Sequence, residues 1–266
     1  QADGKTLKSG PLGVGETFTL SEWLDFAIAY SSNAAAATIW KEVILLRHYG
    51  SAYPPSAEEE AAFFKTTPKS ELWALARDAV QEPMIGAGLD PDALWIGSFW
   101  TGTAKQLVPG NGGSRGTPLE MARFMLRMEQ GRLVDNWSSA RMKAYLYTTS
   151  RRYRYVFSDE LKPAAVYFKS GSLYKCAPEE DFTCGKYMGN AQNLMNSVTL
   201  VETPAIPTEG EAQRRYIVAL MSDVRKTNSA WDHSRIGAAV DKMVRTRTAA
   251  AIAETASEAD KRAAGG

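Results

Sequence analysis

An α+β fold, with an all-helical lobe followed by an antiparallel sheet flanked by helices, is predicted by three features of this 266-residue sequence. Apolar residues recur at helical spacing through roughly the first 150 positions, three short β-rich runs follow, and an amphipathic segment closes the pattern. A chain of this length with 44% hydrophobic residues can bury one substantial core, or two lobes sharing a cleft.

The elements follow in order. Thr19-Leu-Ser-Glu22 reads as a capping box, and Leu20, Trp23, Leu24 and Ile28 continue at helical spacing, so a helix should run to about Tyr30. Ser31-Ser32-Asn33 breaks it. Strong helix formers resume from Ala34 to Arg47, with Ile39, Val43 and Leu46 on one face and Gly50 as the stop. Ser51 to Trp100 is helical but punctuated by Pro54, Pro55, Pro68, Pro83 and Pro91. The glycine-dense stretch Pro109 to Gly116 must be a loop, and Thr117-Pro-Leu-Glu120 starts a helix that stops at Gly131. Trp137 to Tyr147 is a further amphipathic helix. Ala164 to Lys169, Ser197 to Glu202 and Tyr216 to Ser222 read as three antiparallel strands. His233 to Val244 is the closing helix, and the alanine-rich tail, residues 248–266, has few large apolar groups and is expected to fray.

Composition excludes several functions. With 31 basic and 30 acidic side chains the net charge is +1 and no basic run stands out, so no nucleic-acid partner is implied. No stretch is apolar for long enough to span a bilayer, because Lys41 and Glu42 interrupt the best one. The chain opens with Gln1 and shows no signal-peptide core, which fits a processed chain or a fragment. Cys176 and Cys184 lie close together in a polar stretch, a spacing that suits a local disulfide and hence an oxidising compartment; two unrelated free thiols are the alternative. Two cysteines with no histidine nearby are too few ligands for zinc, and no other metal or organic cofactor is implied. Gly110-x-Gly-Gly-x-x-Gly116 follows no clear parallel strand, which argues against a dinucleotide loop. His48 and His233 at helix ends read more readily as caps or surface groups than as members of a Ser-His-Asp triad.

Two motifs carry the chemistry. Ser31-Ser32-Asn33 sits between helices, and Lys169-Ser170-Gly171-Ser172 sits at the end of a β-run. Either alone is better explained by a cap or a turn. Together and in this order they resemble the second and third motifs of the class A β-lactamase and penicillin-binding serine hydrolases, which carry Ser-x-x-Lys, Ser-x-Asn and Lys-Thr/Ser-Gly. Phe18-Thr-Leu-Ser-Glu-Trp-Leu-Asp-Phe-Ala-Ile-Ala-Tyr-Ser-Ser-Asn-Ala-Ala resembles the family's helix and loop around the second motif, and the helix from Gly116 through Leu133 resembles the one after its Ω-loop. The resemblance covers roughly Gly13 to Val244. It implies a β-lactamase/DD-peptidase-like catalytic domain over residues 1–247, with the helical lobe at about 19–150 and the sheet part at about 151–247.

The resemblance also assigns roles. Ser31 would carry a proton to the leaving nitrogen, with Lys169 biasing its hydrogen bonding; Asn33 would donate to the substrate's amide carbonyl. Lys169 and Ser170 would meet the carboxylate that β-lactams and D-alanyl-D-alanine ends present, and Gly171 would let the ligand approach the strand. The backbone N–H of Ser172 would form half of an oxyanion hole. The disulfide reading favours a periplasmic or secreted bacterial location.

Two departures qualify the expectation. The one Ser-x-x-Lys in the sequence, Ser172-Leu-Tyr-Lys175, overlaps the third motif on a strand, whereas the family places its nucleophile at a helix start. The first strands and the nucleophile helix are therefore expected to be missing, and the chain by itself to be unable to acylate. In addition, no Glu or Asp falls between Gly97 and Gly116, where the family keeps its deacylating glutamate, unless Asp90 or Asp92 folds in. β-Lactam hydrolysis leads, a D-alanyl-D-alanine carboxypeptidase or esterase is the runner-up, and a non-catalytic cell-wall peptide-binding module is the reading from another class.

Overall fold

The computed structural model describes residues 17–98, 101–209 and 213–264. Helix α1 (Leu20–Ile28) begins at the predicted capping box, with the Thr19 hydroxyl accepting from Glu22 N and the Glu22 carboxylate accepting from Thr19 N at 2.8 Å. The chain then turns in four residues, Ala29 to Ser32. Ser31 takes a left-handed conformation (φ 58°), and Ser32 caps α2 (Asn33–Tyr49) by accepting from Ala35 N. Gly50 ends α2 with φ 54°, the conformation a glycine adopts without strain.

The helical lobe is completed by α3 (Ala57–Thr66), α4 (Lys69–Gly86), the two-residue strands β1 (Leu94–Trp95) and β2 (Arg115–Gly116), and the short α5 (Gly102–Leu107). Ile44 and Leu45 of α2 and Leu72 and Ala76 of α4 are wholly buried against one another, each large side chain contributing about 2 kcal/mol of apolar burial. Trp40 locks the crossing by donating Nε1–H to Ala76 O at 2.9 Å. The glycine-rich segment expected as continuous loop instead ends in β2, which pairs antiparallel with β1.

Helices α6 (Pro118–Glu129) and α7 (Asn136–Tyr147) lead to the sheet, with Thr117 and Asp135 as N-caps. The sheet has the order β3-β4-β5, all antiparallel, formed by Ala165–Lys175, Gln192–Thr203 and Arg214–Asp223. One face, carrying Val198 and Leu200, packs on Met125, Met128 and Leu146 of α6 and α7. The other, carrying Val166, Phe168 and Val201, packs on Tyr155, Val156 and Leu161. Each strand is longer than its apolar run predicts. Backbone pairing with β4 carries β3 through exposed residues to Lys175, so the Lys-Ser-Gly-Ser motif lies inside the strand rather than at its end.

The last helix, α8 (Ser229–Ala264), starts earlier than the apolar pattern and continues through the alanine-rich segment expected to fray. Alanine has the highest intrinsic helix propensity, so that segment is helical with none of its described side chains buried. Among the described residues no helix is long and apolar enough to cross a membrane.

Candidate active site

Strand alternation divides the third motif between two neighbourhoods. Lys169 faces the helical lobe, where its Nζ donates to Ser31 Oγ at 2.7 Å across 138 residues of sequence, and it turns back at the strand edge to donate to Ser170 O at 2.9 Å. The tight α1–α2 turn, with its left-handed Ser31, presents that hydroxyl to the ammonium. The two serine-containing motifs are thus brought into direct contact.

Ser170 and Ser172 face the other way, toward a residue that no motif announced. Arg154, in a 3-10 turn (Arg152–Arg154), is 5% exposed; its Nη1 donates to Ser170 Oγ at 2.8 Å and its Nη2 to Ser172 Oγ at 3.1 Å and Tyr187 Oη at 2.7 Å. Its Nε is buried without a hydrogen-bond partner. Among the described residues Arg154 and Lys169 have no carboxylate in ion-pair contact. Two buried or half-buried cations without an acid are expensive unless an anion visits them.

That arrangement explains the ionisation of Lys169. Burial, together with the positive charges of Arg154 and Arg151, pushes its amine from the ordinary 10.5 down to about 8. Tyr187 moves down as well. Burial by itself would raise its phenol, but the hydrogen bonds with Tyr153 and Arg154 and the charges of Arg154 and Lys186 outweigh burial and bring it to about 8.

Lys169, Ser170 and Gly171 line a cleft of about 500 Å³ closed on the far side by Trp95, Arg115 and Met121. Gly171 opens onto free space, with no atom within 4 Å of where a Cβ would stand. Asn33, the first residue of α2, is exposed two positions after Ser31. Cys176 and Cys184 form the expected disulfide just past the end of β3, with Cα atoms 5.9 Å apart. Asp90 and Asp92 are exposed and do not line the cleft, and among the described residues none that lines it is acidic.

His233, expected at the surface, is buried against the sheet. Ser222 Oγ donates to Met195 O and so accepts from His233 Nε2–H, which leaves Nδ1 to accept from Ser197 Oγ. Burial lowers its pKa, with Arg154 acting in the same direction. Neutral and doubly bonded, it holds β4, β5 and α8 together. Among the described residues there is no cluster suited to a metal ion.

This combination of a helical lobe, an antiparallel sheet and a cleft between them is the β-lactamase-like fold. A class A β-lactamase from Bacteroides cellulosilyticus superposes with a TM-score of 0.53 at 18% identity, over 91% of this chain and 70% of that one. A β-lactamase from Chitinophaga pinensis gives 0.51 at 14% identity, over 85% and 66%. The chain therefore spans about two thirds of the length of these structures, and at such identities the likeness is one of fold. No family model and no curated protein matches the sequence.

Proposed function

We propose that this protein is a β-lactamase-like serine hydrolase, acting on β-lactams or related cell-wall amides through an acyl-enzyme, whose nucleophilic serine comes from a Ser-x-x-Lys segment outside these 266 residues. The observation that carries the reading is the cation pair Lys169 and Arg154, without an ion-paired acid among the described residues and set on either side of Ser170. A carboxylate-bearing ligand at the β3 edge would relieve both charges and accept from the Ser170 hydroxyl.

Ser31 and Lys169 supply the proton transfer. With the Lys169 ammonium donating into Ser31 Oγ, the serine's own proton is free to be given to a leaving nitrogen, and an amine brought to about 8 exchanges protons readily near neutral pH. Asn33 would orient the substrate amide, Gly171 would admit the ligand, and the Ser172 N–H would hold the developing oxyanion. The disulfide fits a periplasmic or secreted location.

One observation favours a D-alanyl-D-alanine carboxypeptidase or esterase over a fast lactamase: among the described residues no carboxylate lines the cleft to activate water for deacylation. Intact-protein mass measurement after exposure to a penicillin, on this chain and on a form extended upstream in its gene, tests the proposal. An adduct on the extended form alone is expected, and its decay rate separates the two enzymatic readings. No adduct on either form overturns the acyl-enzyme and leaves a cell-wall peptide-binding module.

A further inference from the structure

Tyr187 is the least expected member of the Arg154 cluster. It is 7% exposed and adopts a left-handed backbone (φ 64°), a conformation a bulky residue keeps only when its surroundings enforce it. Two anchors enforce it here. The Cys176–Cys184 loop holds the chain from one side, with Cys184 Sγ against Met188 O and Met188 N donating to Gly185 O. From the other side, Ser229 at the start of α8 donates both its N–H and its hydroxyl to Tyr187 O. The phenol so placed meets Arg154 Nη2 at 2.7 Å, and the guanidinium lies 4.7 Å from the ring centroid.

We propose that Tyr187 is the positioning residue of the anion-binding surface: held by the disulfide loop and α8, it fixes the Arg154 guanidinium so that one plane serves both Ser170 and Ser172, and its own phenolate competes with the ligand's carboxylate for that cation. This rests on the proposed role of Arg154 and Ser170 in carboxylate binding and deepens it.

The geometry leaves few other candidates. Arg154 has no ion-paired carboxylate among the described residues, so Tyr187 is the anion-forming group within its hydrogen-bonding reach. The groups facing the phenol are Tyr153 and Arg154 from the 3-10 turn, Tyr174 from β3 and Lys186 from its own loop; β4 and α8 contribute the uncharged Met195, Ala230 and Ser229. A phenol at about 8 in that setting is neutral at pH 7 and leaves the cation available; above pH 8 it becomes an internal counter-anion. Lys169 loses its charge over the same range, so ligand binding should fall with the loss of more than one charge.

The test is non-covalent binding of benzylpenicillin to the full chain, followed by calorimetry or ligand-observed NMR from pH 6 to pH 9.5, for the unaltered protein, Tyr187→Phe and Arg154→Ala. Tyr187→Phe should weaken binding about tenfold at pH 7, the usual consequence of losing a hydrogen bond to a charged group, and should make the alkaline fall shallower because only Lys169 still titrates. If Arg154→Ala weakens binding while Tyr187→Phe leaves both affinity and pH profile unchanged, the positioning role is overturned and the carboxylate site stands. If Arg154→Ala leaves binding unchanged, the carboxylate site itself is overturned, and the proposal falls with it. A second measurement needs no variant: tyrosinate absorbance of the unaltered protein should titrate at higher pH when benzylpenicillin is bound, and an unmoved titration refutes the competition.

Discussion

Replacing Lys169 with methionine separates the cost of its charge from its use. Holding a lysine at about 8 instead of the ordinary 10.5 means that the folded protein disfavours the ammonium by about 3 kcal/mol at pH 7. The two hydrogen bonds from Nζ, to Ser31 Oγ and Ser170 O, return about 1 kcal/mol each and are lost with the side chain's charge. Lys169→Met should therefore stabilise the protein at pH 7 by about 1 kcal/mol. The pH dependence is the sharper readout. A folded-state pKa below the unfolded one makes the unfolded chain hold more protons between about pH 8 and 10.5, so this lysine adds stability as pH rises through that window and has no effect on the slope below it. The difference between unaltered protein and Lys169→Met, from urea unfolding at pH 7, 8.5 and 10, should swing by about 2.5 kcal/mol in favour of the unaltered protein. A flat difference across that range would refute a desolvated Lys169.

Three further outcomes are expected. Gly171→Val adds a side chain into open cleft, so the melting temperature should stay within a degree or two while benzylpenicillin binding drops at least tenfold by calorimetry; unchanged binding would remove the ligand from the β3 edge. Ser31→Gly relieves a left-handed serine and should hold or raise stability by about 1 kcal/mol in chemical denaturation, yet abolish proton delivery, read as loss of the penicillin adduct on the upstream-extended form. Reducing the Cys176–Cys184 bond, which closes a loop of sequence separation 8, should cost about 2.5 kcal/mol of stability on the chain-entropy account, measured by denaturation with and without reductant.

The sequence was informative wherever a local rule sets the structure. The Thr19–Glu22 capping box, the Ser31–Asn33 break, the Gly50 stop and the Thr117–Pro118 helix start were legible because each is a short-range hydrogen-bonding or dihedral constraint. The three strands were legible from β-branched and aromatic runs, but not their lengths, because β3 beyond Lys169 is held by its pairing with β4 rather than by its own apolar residues. The alanine-rich end of α8 went the other way, helical by propensity where the lack of a buried face pointed to fraying.

The sequence by itself determined the fold class, the order of the two motifs and the residues that compose them. Only the tertiary structure decided that Ser31 and Lys169 touch, that Ser170 and Ser172 turn to the opposite face, that Arg154 bonds both of those serines and Tyr187, and that His233 bonds Ser197. The physical reason is sequence distance. Arg154 reaches Ser170 and Tyr187 across 16 and 33 residues through the packing of a short turn against a strand face, and no local periodicity encodes which buried hydroxyl a distant guanidinium will find.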